Sequence, residues 1–280
     1  MRILIVDGPG THPRAYAATL CRALEALGHI VLLDRFPARS WSARRRARAI
    51  VARTAPDVIH VVTATPGVAE AFADRDVPVV HSTLDRPSRT DWIVAPSHVA
   101  LNRVAGPGRG VYDRVTRLPY ALPLTESDVE SIGSYALARV DPRDGRAAAW
   151  LQELAWRTPY VPMKTVGDPR LARFVVSLSS TGEAWPAGVA EAMAAGRAVA
   201  ATWSGAAPEF AVEGLTGFLS APGDLDALAA NVTYLWDQPE ETLQMGRAAR
   251  QEAQEHFGAE AHARQLMKIY VRAGVSRLAV

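Results

Sequence analysis

Cysteine is almost missing from this chain. Cys21 stands alone among 280 residues, which excludes an internal disulfide and any cysteine-rich metal centre and points to a reduced, cytoplasmic compartment. Lying in an apolar helical stretch, Cys21 reads as a buried structural residue. No apolar run is long enough to cross a bilayer, and the opening M-R-I-L-I-V-D is too short for a signal peptide and reads as a strand. The expectation is therefore a protein neither exported nor membrane-spanning. Repeats and low-complexity tracts are also absent. Lysine is missing from residues 1–125, which carry 17 Arg against 10 Asp plus Glu and so a charge of +7. Residues 126–280 carry −5, so a basic first half precedes an acidic second one. Whatever meets the first half is expected to be anionic.

Short apolar runs alternate with amphipathic ones through most of the chain. Strands are predicted at Arg2–Val6, Ile30–Leu33, Val58–Val62, Val77–Val80 and Trp92–Ala95. Between the first two, Arg14–Leu27 places Tyr16, Leu20, Ala23, Leu24 and Leu27 on one helical face, and Gly28 is positioned to end it. Such alternation predicts parallel sheets covered by helices on both faces. Two prolines in Leu118–Glu126 interrupt the pattern, which resumes with a strand at Ile132–Val140 and a helix at Ala147–Ala155. After a poorly patterned stretch, Arg157–Arg170, helices are expected at Leu225–Trp236, Pro239–His256 and Ala259–Val271.

The densest chemistry lies in S-L-S-S-T-G-E-A-W-P-A-G-V-A-E-A-M-A-A-G-R-A-V-A-A-T, residues 177–202. It reads as a strand (Phe174–Ser179), a loop, a helix (Pro186–Ala195) and a strand (Ala198–Thr202). Pro186 suits a first helical turn, where its missing N–H is no loss, and Gly196 suits the far end. Free N–H groups of that first turn then face outward at the carboxyl end of a strand, where unpaired donors and the helix dipole favour phosphate. Glu183 precedes the turn and Glu191 lies one turn inside it. Carboxylates do not bind phosphate but accept paired hydrogen bonds from neighbouring sugar hydroxyls. Amides for phosphate beside acids for diols point to a nucleotide sugar.

Glu183-x7-Glu191 followed by A-M-A-A-G-x-A-V-A-A-T, then G-A-A-P-E (205–209), E-G-x-T-G-F-L (213–219) and P-G-D (222–224), resembles the donor half of retaining GT-B glycosyltransferases, family 4 in particular. The resemblance implies an α/β fold of two Rossmann-like domains whose parallel sheets face each other across a cleft. An acceptor-side domain is expected at 1–125 and a nucleotide-sugar donor domain at 126–258, with a last helix at 259–280 crossing back to the first domain. It also implies transfer of a sugar from a nucleoside diphosphate sugar to an unidentified acceptor, without a metal or other cofactor. On this resemblance Glu191 holds the ribose hydroxyls and Glu183 the transferred sugar. Arg139 holds the diphosphate, and the amides of Ala187, Gly188 and Val189 hold phosphate or sugar oxygens. Gly8 and Gly10 resemble the glycine loop that admits backbone close to the donor. Trp185 and His81 are further candidates.

Three departures stand against that pattern. The family's G-R-L-x-x-x-K-G is represented by Ala138–Gly145, where Arg139 matches but Asp144 stands in place of the lysine, leaving Arg143 or Arg146 to supply the charge. Leu84 replaces the histidine of T-x-H-D, with His81 offset from it. Between Gln152 and Phe174 roughly twenty-five residues are lacking that commonly supply a strand and two helices, although Val166–Pro169 resembles a remnant of G-D-G-P. These departures keep open a second reading, a non-catalytic nucleotide-sugar-binding subunit. A nicotinamide-dependent oxidoreductase is a third, since Gly8-x-Gly10 follows the first strand and Asp34 ends the second, although Pro13 occupies the third glycine position. Finally, Arg44, Arg45, Arg46 and Arg48, preceded by Trp41, form a basic helical face. Related enzymes with lipid acceptors use such a face on anionic membranes, so peripheral contact with the inner membrane face is a further expectation.

Overall fold

Strand and helix alternate from the first residues onward in the computed structural model, which describes residues 1–8, 16–36, 43–63, 66–73, 76–84, 90–106, 112–124 and 132–278. The chain divides into two compact units, Met1–Pro123 with Gly258–Val280, and Leu124–Phe257.

In the first unit β1 (Arg2–Asp7), α1 (Tyr16–Ala26), β2 (Ile30–Arg35), α2 (Ala43–Thr54), β3 (Val58–Val62), α3 (Pro66–Ala73), β4 (Val79–Ser82), β5 (Trp92–Ala95), α4 (His98–Val104) and β6 (Val115–Arg117) follow one another. The six strands form one parallel sheet in the order β2-β1-β3-β4-β5-β6. β3 is buried along its whole length, as a central parallel strand covered on both faces must be. On one side Leu4, Val6, Ile59 and Val61 pack with Ala47 and Ile50 of α2 and with Val68 and Phe72 of α3. α1 buries Tyr16, Leu20, Ala23 and Leu24, and Gly28 follows it with φ +82°. The strand expected at Val77–Val80 begins instead at Val79, because Pro78 has no N–H to give a ladder and Asp91 accepts the Val79 N–H at 2.7 Å.

α9 (Ala259–Leu278) closes this unit through buried polar pairs. Tyr16 Oη pairs with His262 Nε2 at 2.9 Å, and His60 pairs with Tyr270 Oη and Ser82 Oγ, each at 2.7 Å. All five side chains are almost completely buried, so each bond satisfies a group that water does not reach. Burial holds the His262 imidazole down at about 4, which keeps it neutral near pH 7.

The second unit contains β7 (Ala136–Val140), α5 (Gly145–Arg157), β8 (Met163–Lys164), β9 (Phe174–Leu178), α6 (Ala187–Ala194), β10 (Val199–Thr202), β11 (Gly217–Ser220), α7 (Leu225–Asp237) and α8 (Pro239–Phe257). Its five strands are parallel in the order β11-β10-β9-β7-β8. Ala136, Ala138, Phe174, Val176, Ala198 and Ala200 form a layer packed against Ala147 and Leu154 of α5 and Leu228, Val232 and Leu235 of α7. β7 is shorter than the expected Ile132–Val140, because Gly133 lies against the backbone of Ala172 and Arg173, and a Cβ there would fall 2.2 Å from the Ala172 carbonyl carbon. The stretch read as unpatterned supplies β8, a two-residue edge strand.

Tyr270→Phe removes the hydroxyl that His60 Nδ1 meets. The expected outcome is a loss of about 1–3 kcal/mol in unfolding free energy, measured by urea denaturation. An unchanged midpoint contradicts a role for this network in holding α9.

Candidate functional site

The site is built where β7 and β9 end. Arg139 and Ser177 are register partners there, and α6 starts directly over them. A Cβ on Gly188 would lie 2.5 Å from Ser177 Oγ and 2.8 Å from Arg139 Cβ, so only glycine lets the first helical turn come this close to the sheet. Pro186 caps the helix without a side-chain bond. Ala187 N–H is spent on Trp185 O at 3.0 Å, and Ala190 N–H on Pro186 O at 3.0 Å. Between them, the N–H groups of Gly188 and Val189 meet no acceptor among the described residues, although both residues are buried. A buried unpaired backbone donor calls for a partner from outside the chain. The expected three amides are therefore two, Gly188 and Val189, with Ala187 already engaged.

Arg139 and Glu191 meet directly. Arg139 Nε donates to Glu191 Oε2 at 3.2 Å, with the two side chains 26% and 49% exposed. The rest of the guanidinium reaches Gly167 O at 3.1 Å and Thr165 O at 3.4 Å, tying α6 to the Val166–Pro169 segment. Asp168 in that segment caps a single 3-10 turn, Pro169–Leu171, and chelates Arg170. Sequence reading assigned Arg139 and Glu191 to different parts of a ligand. In the structure they are a pair whose geometry a ligand has to open or share.

Glu183 is held by its neighbours on every side of its loop. Ser179 N donates to Thr202 Oγ1 at 2.9 Å, and that hydroxyl in turn donates to Ser179 O at 3.0 Å. Ser204 Oγ donates to Thr181 O at 2.7 Å, and Ala206 N to Glu183 O at 2.9 Å. Gly205, at φ +55°, sits so close that a Cβ would lie 2.4 Å from Glu183 N. Burial, then the charges of Asp141 and Asp144, push the Glu183 carboxyl up to about 7, against a smaller opposing hydrogen bond from Ser179. Near neutral pH this carboxyl is divided between its protonated and ionised forms, whereas an ordinary surface glutamate is ionised.

Asp144 has a structural occupation that its position in the sequence did not show. It is the N-cap of α5, accepting Ala147 N at 3.0 Å, and it also accepts Ser180 Oγ at 2.6 Å and Ser180 N at 2.7 Å. These bonds outweigh desolvation and hold its carboxyl below the usual range. Arg143, expected to replace the missing lysine, pairs with Asp141 at 3.5 Å and is largely exposed. Arg146 lies over the Trp150 ring at 5.5 Å. Of these three arginines, Arg139 is thus the one bonded to Glu191 of α6.

Other expectations are corrected. Trp185 is 6% exposed and meets Phe210 and Phe257 edge-on at 5.6 and 5.7 Å, so it fills the core beneath its loop. In the first unit His81 is fully buried, pairs with Thr63 O at 3.0 Å, and is held down to about 4 by burial. It is a neutral core histidine, and Leu84 is also buried. Gly8 lies against Thr63, whose Oγ1 would be 2.7 Å from an added Cβ. Gly10, Pro13 and Trp41 lie outside the described residues. Asp34 pairs with Arg46 at 3.3 Å and Arg53 at 3.9 Å, an engagement that weakens its reading as a nicotinamide-ribose ligand. Arg46 also donates to Arg35 O and covers the Phe36 ring, so it pins α2 to β2, while Arg44, Arg45 and Arg48 stay on the outer face of α2. Cys21 is half-buried, its thiol pushed up to about 11 by burial and by Glu25 and Asp7. Among the described residues no group of three His, Cys, Asp or Glu side chains is placed to hold a metal ion, and no helix is long and apolar enough to cross a membrane.

Asp144→Lys, which restores the family's residue type, is expected to destabilise rather than repair this protein. Loss of the α5 cap alone costs about 1–2 kcal/mol, and loss of the Ser180 bonds adds to it. Thermal unfolding measures the cost, and a variant as stable as the unaltered chain contradicts the assignment.

Comparison with known proteins bears on the fold and on the second unit's sequence. Residues 168–252 match the family described as Glycosyl transferases group 1. No curated protein sequence matches the chain at a significant level. Among solved structures, sucrose-phosphate synthase from Thermosynechococcus elongatus superposes with a TM-score of 0.73 at 16% identity, over 97% of this chain and 98% of that one. HepE from Anabaena, solved with UDP-glucose, gives 0.71 at 15% identity, over 96% and 98%. A glycosyltransferase from Rickettsia africae gives 0.71 at 15% identity, over 97% and 98%. Residues 168–252 of the second unit thus match the Glycosyl transferases group 1 family, and the chain as a whole has the two-domain α/β fold of the GT-B glycosyltransferases it superposes on.

Proposed function

We propose that this protein is a retaining, metal-independent glycosyltransferase that moves a sugar from a nucleoside diphosphate sugar to an acceptor. The observation that carries the reading is the pair of buried, unpaired N–H groups at Gly188 and Val189, set between Glu183 and the Arg139–Glu191 pair. A diphosphate supplies the acceptor oxygens those donors lack, at the positive end of α6. Arg139 turns toward the same charge, and Glu191, released from it, accepts the ribose hydroxyls. HepE, solved with UDP-glucose, supports a donor of this class.

Negative charge grows on the leaving diphosphate as the sugar–oxygen bond breaks, and fixed amides with one guanidinium stabilise it without reorganising. Retention follows when the acceptor attacks on the face the diphosphate leaves, the diphosphate taking the acceptor proton. Glu183 lies beside the sugar with a carboxyl near the point of half-protonation, so it adds little charge against the departing anion. In the first unit, Gly8 keeps side-chain bulk away from the end of β1. The acceptor is anionic or lipid-linked in this reading. Arg44, Arg45 and Arg48 of α2, a helix with no acid among its twelve residues, then attract an anionic membrane face to a cytoplasmic protein.

One observation favours a second reading, a nucleotide-sugar-binding subunit without activity of its own. The second cation of the family pattern is missing, since Arg143 is paired with Asp141 and Arg146 stacks on Trp150. A cation about 6 Å from a diphosphate is worth roughly 3 kcal/mol at an effective dielectric near 20, or about a hundredfold in rate. Donor hydrolysis or transfer by the purified protein alone rules this second reading out.

Isothermal titration of UDP, GDP and dTDP is expected to show binding by at least one, unaffected by EDTA and weakened about tenfold or more by Glu191→Ala. Absence of binding by all three, or binding indifferent to Glu191→Ala, contradicts the proposal.

A further inference from the structure

We infer that Trp203 supplies the stacking face for the transferred sugar, which makes it a specificity-determining residue of the proposed donor site; the inference rests on the nucleotide-sugar reading above. Trp203 follows β10 directly and is 58% exposed. No aromatic ring or cation among the described residues stacks on its indole. Single exposed apolar residues are ordinary on a protein surface, and Trp156 on α5 is more exposed still, at 82%. What separates Trp203 from Trp156 is the backbone it stands on.

That backbone is fixed on both sides. Trp203 N donates to Ser220 O at 2.7 Å, anchoring the residue to the end of β11, and Asn231 Nδ2 holds the Ser220 hydroxyl at 3.0 Å. The next three residues lie on the loop that carries Glu183. Ser204 Oγ donates to Thr181 O, Gly205 lies against the Glu183 amide with no room for a Cβ, and Ala206 N donates to Glu183 O. A large exposed ring therefore stands on a stretch of chain bonded to the backbone of Glu183, the residue assigned to the sugar. Ordering costs are already met before a ligand arrives, which is the condition under which such a residue adds affinity.

The chemistry of the two residues is complementary. A hexose has hydroxyls around its rim and C–H bonds on its faces. A carboxylate takes the rim, and an indole takes a face through dispersion and removal of apolar surface from water. Trp185, nearer in sequence to Glu183, cannot do this because its ring is buried against Phe210 and Phe257. The same exposed ring also fits a nucleobase, and the two ligands are distinguished by which part of the donor loses affinity.

The test compares a nucleoside diphosphate with its sugar conjugate. UDP with UDP-glucose, and GDP with GDP-mannose, are titrated calorimetrically into the unaltered protein and into Trp203→Ala and Trp203→Phe. The expected result is a Kd for the free diphosphate changed less than twofold by Trp203→Ala, with the sugar conjugate weakened about tenfold, or about 1.4 kcal/mol, and largely restored in Trp203→Phe. Equal weakening of diphosphate and conjugate assigns the ring to the base and overturns the inference. So does an unchanged Kd for both, in a protein that still binds the diphosphate. If the unaltered protein binds neither diphosphate nor conjugate, the parent reading falls and takes this one with it. Circular dichroism at each variant's titration temperature shows that the compared proteins are folded.

Discussion

The approach of α6 to the ends of β7 and β9 is the contact on which the rest of the second unit's chemistry depends. It is possible because residue 188 has no side chain, and it brings the first turn of the helix against Arg139 and Ser177. From that one contact follow the unpaired donors at Gly188 and Val189, the reach of Glu191 to Arg139, and the reach of Arg139 to the carbonyls of Thr165 and Gly167. A parallel sheet offers such a place wherever a helix begins at a strand's carboxyl end. Here the distances are short enough that an alanine has no room.

Rigidity of the surrounding loops is the second element, and it comes from hydroxyls more than from apolar packing. Thr202, Ser204 and Ser180 bond the loop that bears Glu183, while Asp144 joins that loop to the start of α5. Asp144 thus caps α5 and bonds Ser180, at the position where the pattern that the sequence resembles has a lysine. The consequence is a site with one engaged guanidinium, in which burial first, and then the charges of Asp141 and Asp144, raise the Glu183 carboxyl to about 7. In the first unit a different polar network, centred on His60 and Tyr270, fastens α9 to the sheet.

Much of this was legible in the residues themselves. Pro186 and Gly196 bracket α6 because each residue's backbone chemistry suits only one end of a helix, and the alternation of apolar runs gave the parallel sheets. The Glu183-x7-Glu191 spacing placed one acid in a loop and one on the helix, as observed. Legibility failed where the deciding partner is distant in sequence. Asp144 is read as an ion near a phosphate until Ser180, thirty-six residues away, is seen to bond it. The Arg139–Glu191 pair spans fifty-two residues. Gly133 shortens β7 because Ala172 and Arg173 cross it, which no local pattern records. Periodicity also could not tell which tryptophan near the motif is buried; Trp185 is inside and Trp203 outside, set by the aromatic cluster of Phe210 and Phe257. His81 drew notice for lying close to the T-x-H-D position, yet a neutral core histidine and a ligand look alike in sequence.

The central claim, that the start of α6 is a diphosphate cradle, is tested most directly by the crystal structure of this protein with whichever of UDP, GDP or dTDP binds most tightly. The account predicts phosphate oxygens within about 2.7–3.2 Å of both Gly188 N and Val189 N, with Arg139 turned from Glu191 toward the phosphates. A nucleotide bound with its phosphates away from α6, leaving both amides to water and the Arg139–Glu191 pair intact, contradicts it.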